Sequence, residues 1–243
     1  MVINNQSRRK KLPIDIISIN CKNPEESLKA LDYCKSFFTF ENSILFTDKN
    51  IEKTEHSVIK INKFKNIHDY SNFVLTLNDY INSDHVLVIQ DDGHIVNPDV
   101  WDDNFLDYDY IGAPWPTEYK FRKRWKKEMY KDSFKNSKIN RVGNGGFSLR
   151  SKKFLEYSSL FKDCNGIPED VFLCLVNYQK AIEENIRFAP FDIAYKFSYE
   201  VPLMGKNLDK EDKSQIFDSN YHFGWHGKRF LNSDELINLK NQK

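Results

Sequence analysis

The sequence predicts an α/β fold with a mostly parallel central sheet flanked by helices. Strand-like and helix-like stretches alternate through the first half of the chain, which is the order of βαβ units. The most strand-like run, 85–90 (HVLVIQ), leads directly into Asp91-Asp92-Gly93. In open sheets, ligands bind beyond the carboxyl ends of the strands.

The elements follow in order. Residues 1–12 are polar and basic and read as a flexible arm, with the folded domain over 13–243. The β-branched run 14–19 (IDIISI) reads as a buried strand. Asn23-Pro24-Glu25-Glu26 offers a cap, a first-turn proline and a first-turn acid, so a helix is expected over 24–37 with Leu28, Leu31 and Cys34 on one face. Short strands are expected at 44–47 and 58–61. A helix is expected at 68–81, with Phe73, Val74, Leu77 and Ile81 at helical spacing. Further strands are expected at 110–112 and 146–150 and helices at 151–161 and 168–183. A last helix near 233–241 is capped by Asn232. No repeat or linker divides the chain, so a single domain is expected.

The bulk numbers exclude several classes. With 40% hydrophobic and 29% charged residues, the 243-residue chain is globular rather than disordered. A net charge of +1 gives no global field for nucleic acid or membrane. No apolar run reaches transmembrane length, and the N-terminus lacks a signal-peptide core. Cys21, Cys34, Cys164 and Cys174 form no C-x-x-C pair. They read as reduced thiols in a cytoplasmic protein.

Four segments carry chemistry. Asp91 and Asp92 repel each other unless a cation or donors neutralise them. Mg²⁺ or Mn²⁺, which prefer oxygen ligands and share them with phosphates, would suit them; an ordinary Asp-Gly turn is the plain alternative. In Gly143-Asn144-Gly145-Gly146, missing side chains and access to positive φ would let backbone approach a bulky ligand, or simply make a turn. Pro168-Glu169-Asp170 opens a helix, where the acids serve the helix dipole or one of them acts as a general base. His222 and His226 stand four apart, but Gly224 and Gly227 argue against a helix; one histidine folding back to a metal site, with His226 ranked above His222, or a buried or surface histidine with no ligand role are the two readings.

A fifth segment, 120–141, holds ten Lys/Arg against Glu128 and Asp132, with Phe121, Trp125, Tyr130 and Phe134 between them. It reads as a solvated loop; a nucleic-acid patch or a seat for an anionic acceptor are the alternatives.

Together, the Gln90-Asp91-Asp92-Gly93 turn, Tyr108-Asp109-Tyr110-Ile111-Gly112-Ala113-Pro114-Trp115-Pro116, Gly143-Asn144-Gly145-Gly146-Phe147-Ser148-Leu149-Arg150, Pro168-Glu169-Asp170 and the late Gly-Trp-His resemble a GT-A-like glycosyltransferase family long catalogued as a domain of unknown function. The resemblance spans about 85–230. It implies a Rossmann-like GT-A domain and a DxD-type metal site for Mn²⁺ or Mg²⁺, with Asp92 and His226 as ligands and Asp91 beside them on the donor side. The pattern departs from D-x-D because Gln90 occupies the first position. The resemblance further implies that Gly143, Asn144, Gly145 and Gly146 line the sugar and acceptor side and that Asp170 or Glu169 is the base. Trp115 would stack on a sugar or pack in the core. The implied reaction moves a sugar from a nucleotide-sugar donor to a hydroxyl acceptor, with inversion preferred. The rivals are a non-catalytic nucleotide-sugar or carbohydrate binder, a nucleic-acid binder and another metal-dependent phosphate enzyme.

Overall fold

The computed structural model describes residues 9–115, 139–200 and 220–227. Three short sheets organise them. Strand β1 (Lys10–Lys11) runs parallel to β3 (Phe38–Thr39), and between them in sequence lie β2 (Asp15–Ile19) and helix α1 (Pro24–Lys35). Lys10 and Lys11 are therefore paired, and Leu12 is fully buried with its N–H bonded to Thr39 O. The last residues expected in the flexible arm belong to the folded body; an apolar side chain beside a paired strand has core to gain. Residues 1–8 lie outside the described residues.

The main sheet has six strands in the order β5-β4-β2-β6-β9-β8. These are β4 (Ser43–Thr47), β5 (Ser57–Lys60), β6 (His85–Ile89), β8 (Tyr110–Gly112) and β9 (Phe147–Ser151) around β2. The pairs β5–β4, β4–β2 and β2–β6 are parallel; β9 is antiparallel to both β6 and β8. The alternation of side chains along each strand divides the core in two. Ile16, Leu87, Ile89 and Leu149 face one layer with α1. Ile17, Ile19, Val86 and Val88 face the other with α2 (Ile67–Val74). Val86, Leu87, Val88 and Ile89 are all 0% exposed, as a central strand covered on both sides requires.

Local chemistry adjusts several boundaries. Asn23 makes no side-chain cap; Asn20 Oδ1 instead accepts from Lys22 N and Asn23 N, so the bend is made before the helix begins. The 68–81 helix ends at Val74 and continues only as a 3₁₀ turn over Leu77–Asp79, still burying Leu77 and Ile81. Helix α3 (Lys152–Ser159) is capped by Ser151 Oγ, which accepts from Phe154 N.

Helix α4 (Glu169–Val171) widens into a π turn over Phe172–Val176, where Asn177 N bonds to Phe172 O at 3.0 Å, before α5 (Tyr178–Glu183). Helix α6 (Phe191–Phe197) leads to β10 (Ser198–Tyr199). The third sheet, β10-β11-β7, joins this strand to β7 (Gly93–Ile95) through β11 (Gly224–His226), which is parallel to β10 and antiparallel to β7. Sequence reasoning finds only a turn at residue 93 and leaves the form of the 221–227 segment open. The basic loop lies outside the described residues except at 139–141, and the helix expected at 233–241 lies wholly outside them. No helix among the described residues is long and apolar enough to cross a membrane.

Candidate active site

The acidic turn follows the carboxyl end of β6. Gln90 N donates to Gly146 O and Gly93 N to Gln90 O, both at 2.9 Å, which ties the turn to the glycine segment. The β7–β11 pairing sets His226 opposite Gly93, and Gly227 N bonds to Asp92 O at 3.1 Å. The fold thus brings Asp92 and His226 together although 133 residues lie between them: His226 Nε2 is 3.3 Å from Asp92 Oδ1 and 3.1 Å from Gln90 Oε1. On the far side of the ring, Nδ1 is 3.4 Å from Glu200 Oε1. Burial alone would push this imidazole down, but Glu200 and Asp92 together carry it up to about 10. A cation taking Nε2 must displace its proton.

Glu200 was not found from sequence. It stands just after β10, a two-residue strand with no periodic signal, and reaches His226 only through the third sheet. His222 goes elsewhere: it is 1% exposed and its Nδ1 donates to Tyr195 O at 2.6 Å. It packs against Tyr195 and Tyr199 as a core residue.

The glycine segment faces this corner. Among the described residues, only Gly166 and Gly227 are glycines with positive φ, so Gly143, Gly145 and Gly146 are required for close approach and not for conformation. A Cβ on Gly146 would land inside the His226 ring. A Cβ on Gly145 would lie 2.7 Å from Glu169 Oε1. Asn144 is buried, and its backbone lies against Gly112.

The two specific strings brace each other. Tyr110 Oη donates to Gly143 O at 2.9 Å, and Trp115 N donates to Arg141 O at 2.7 Å. Trp115 is 4% exposed and covers Gly143, so of its two expected roles the packing one describes its position.

Glu169 and Asp170 differ. Glu169 is buried and its Oε1 pairs with the equally buried Arg150 Nη2 at 3.2 Å. Asp170 is partly buried; Oδ2 accepts from Gly145 N at 3.1 Å and Oδ1 from Val171 N at 2.7 Å. Burial, reinforced by the neighbouring Glu169, pushes its carboxyl up to about 7.

A cavity of about 680 Å³ opens beyond β2, lined by Lys22, Lys49, Lys63 and Lys65 with Phe64 and Tyr70. A smaller one of about 250 Å³ shares Lys22 and Tyr70 and reaches Gln90 and Asp91. Cations and aromatic rings thus lead from the end of β2 to the acidic turn. All four cysteines are free and buried.

No curated protein matches the chain. Solved structures that share its fold include two of LgtC. An active-site mutant of LgtC is 13% identical over 94% of this chain and 96% of that one, with a TM-score of 0.53. The galactosyltransferase LgtC in complex with donor and acceptor sugar analogues is 12% identical with the same coverage and a TM-score of 0.50. The architecture is accordingly GT-A-like. The model of a family described as a protein of unknown function, DUF5672, matches residues 53–214. That is more than half of the chain, and the chain belongs to the DUF5672 family.

Proposed function

We propose that the chain is a metal-dependent glycosyltransferase acting on a nucleotide-sugar donor. The convergence of Asp92 and His226 at the carboxyl end of β6, beside a lysine-lined cavity, carries this reading. The solved structure of LgtC with donor and acceptor sugar analogues on the same fold supports it. A carboxylate oxygen and an imidazole nitrogen about 3 Å apart are chemically suited to Mn²⁺ and, less well, to Mg²⁺. Asp92 and His226 would hold the ion, which would neutralise charge developing on the leaving diphosphate.

The remaining work falls to the chain itself. Lys22, Lys49, Lys63 and Lys65 attract the diphosphate, and Phe64 and Tyr70 offer rings to the base. The glycine segment lets the sugar approach the backbone. Asp170 takes the proton of the acceptor hydroxyl: a carboxyl lifted to about 7 is a stronger base than an ordinary one yet still ionises near neutrality. Glu169 neutralises Arg150, whose guanidinium also bonds Gly145 O and so holds that backbone in place. A base on the acceptor side fits direct displacement with inversion.

A thermal-shift screen of nucleotide sugars with and without Mn²⁺ tests the reading. A metal-dependent rise in melting temperature with one donor, followed by metal-dependent release of its nucleoside diphosphate, is expected. Binding without turnover would instead favour a carbohydrate- or nucleotide-sugar-binding protein. No binding to any donor would reject both.

A further inference from the structure

Three polar atoms meet beyond the end of β6. Gln90 Oε1 lies 3.1 Å from His226 Nε2, and Asp92 Oδ1 lies 3.3 Å from it. Adjacent ligands of an octahedral ion with bonds of about 2.1 Å stand about 3 Å apart. Both edges have nearly that length. Yet no three His, Cys, Asp or Glu side chains among the described residues form a metal-holding group. Asp92 and His226 are two donors, and the next atom at ligand spacing is an amide oxygen.

Gln90 is held in that pose. Its Nε2 donates to the Tyr70 hydroxyl at 3.3 Å, which turns Oε1 toward His226. Its backbone is bonded on both sides, to Gly146 O and from Gly93 N. Tyr70 in turn lines both cavities before the turn. Glu200 does not compete for the role, because its Oε1 faces Nδ1 on the other side of the ring, 3.4 Å away.

We infer that Gln90 Oε1 is a third protein ligand of the divalent cation, and that this neutral ligand makes tight cation binding depend on the diphosphate of the donor. The inference rests on the glycosyltransferase reading above. Its charge logic is simple. One carboxylate, one amide and one neutral imidazole leave a dication with a net charge of about +1, where a carboxylate at position 90 would leave none. The remaining charge and the remaining coordination positions fall to phosphate oxygens. Cation and nucleotide then bind as a pair, with the lysines of the adjacent cavity receiving the rest of the phosphate charge.

The test is calorimetric titration of the full chain with Mn²⁺, alone and with uridine or guanosine diphosphate. The wild type should bind Mn²⁺ at least about tenfold more tightly with one of these nucleotides than without. Gln90→Glu keeps an oxygen and adds a charge; it should tighten binding of Mn²⁺ alone about tenfold and shrink the nucleotide effect. Gln90→Met, of similar length without the oxygen, should weaken Mn²⁺ binding about tenfold. If Gln90→Met binds Mn²⁺ as the wild type does while His226→Ala has lost it, the Gln90 assignment is wrong and the metal site survives. If His226→Ala and Asp92→Ala also bind normally, the cation site itself is misplaced and the functional reading fails with it. A crystal of the wild type with Mn²⁺ and nucleoside diphosphate gives a readout independent of variant folding. Gln90 Oε1 should lie about 2.1–2.3 Å from the anomalous peak, and a separation beyond about 3 Å overturns the inference.

Discussion

Two histidines with little exposure sit at opposite ends of the main sheet and are held in opposite ways. His56, before β5, hydrogen-bonds Ser43 Oγ through Nδ1 at 2.7 Å and Asp32 through Nε2 at 3.0 Å. His226, beyond the end of β6, stands between Asp92 and Glu200. Each ring touches carboxylate, but the Asp32 side chain is 69% exposed, whereas those of Asp92 and Glu200 are 17% and 22% exposed. Water screens the first pair, so desolvation wins and His56 is pushed below its usual value. Two sheltered carboxylates overcome desolvation at His226. A histidine is made chargeable by the shelter of its partners, and of these two ends only the carboxyl end of the sheet provides it.

The signs for stability are therefore opposite. His56 is held neutral, so its contribution is lost as pH falls below about 6.5, where the unfolded chain takes up the proton first. His226 is held charged, so its contribution is fully present below about 6.5 and lost as pH rises toward about 10.

Four variants sharpen the contrast, in order of expected effect. Glu169→Ala strands the buried Arg150 charge and should cost about 3–5 kcal/mol in urea unfolding; a loss below about 1 kcal/mol would mean that the pair is solvated. Asp170→Asn should lower turnover about 10²-fold with donor affinity nearly unchanged. In the wild type, kcat/KM should rise with pH through about 7 and level off above it, because the base must be ionised; a profile flat from about pH 5 to 8 would place the base elsewhere. Glu200→Gln should weaken Mn²⁺ affinity about 10–100-fold by releasing the His226 ring, which calorimetry would register. His56→Asn should leave Mn²⁺ and donor binding within about twofold and cost about 1 kcal/mol of stability. Should it impair binding as much as Glu200→Gln does, the two ends of the sheet are coupled and the contrast collapses.

Much of the frame was legible in the sequence. The runs at 14–19 and 85–90 are dense in aliphatic residues because both faces of their strands are covered, and a central strand buried on both faces demands that composition. The strings around Tyr110 and Gly143 stood out, yet the structure gives them a bracing duty: Tyr110 and Trp115 hold the glycine segment that His226 packs against. The third sheet was not legible. Its strands have two or three residues each, too short for periodicity, and β7 pairs with β11 across more than a hundred residues. Glu200 and the split between Glu169 and Asp170 were hidden because they depend on distant contacts too. Which acid is neutralised depends on where Arg150 points, and no spacing rule states that.

The pairing of Gly93–Ile95 with Gly224–His226 also bears on when the site comes into being. Contacts between such distant segments close a very long loop, and the entropy of that closure is repaid only once the flanking structure exists. The six-stranded sheet takes no strand from residues 220–227. During refolding the sheet can therefore form first, with Asp91 and Asp92 displayed beyond the carboxyl end of its central strand β6, and the imidazole arrives as a late step. Fluorescence of Trp225, which stacks on Tyr199 within the third sheet, would follow that arrival in time. Cation-binding competence should appear with this slow phase and lag behind the recovery of secondary structure.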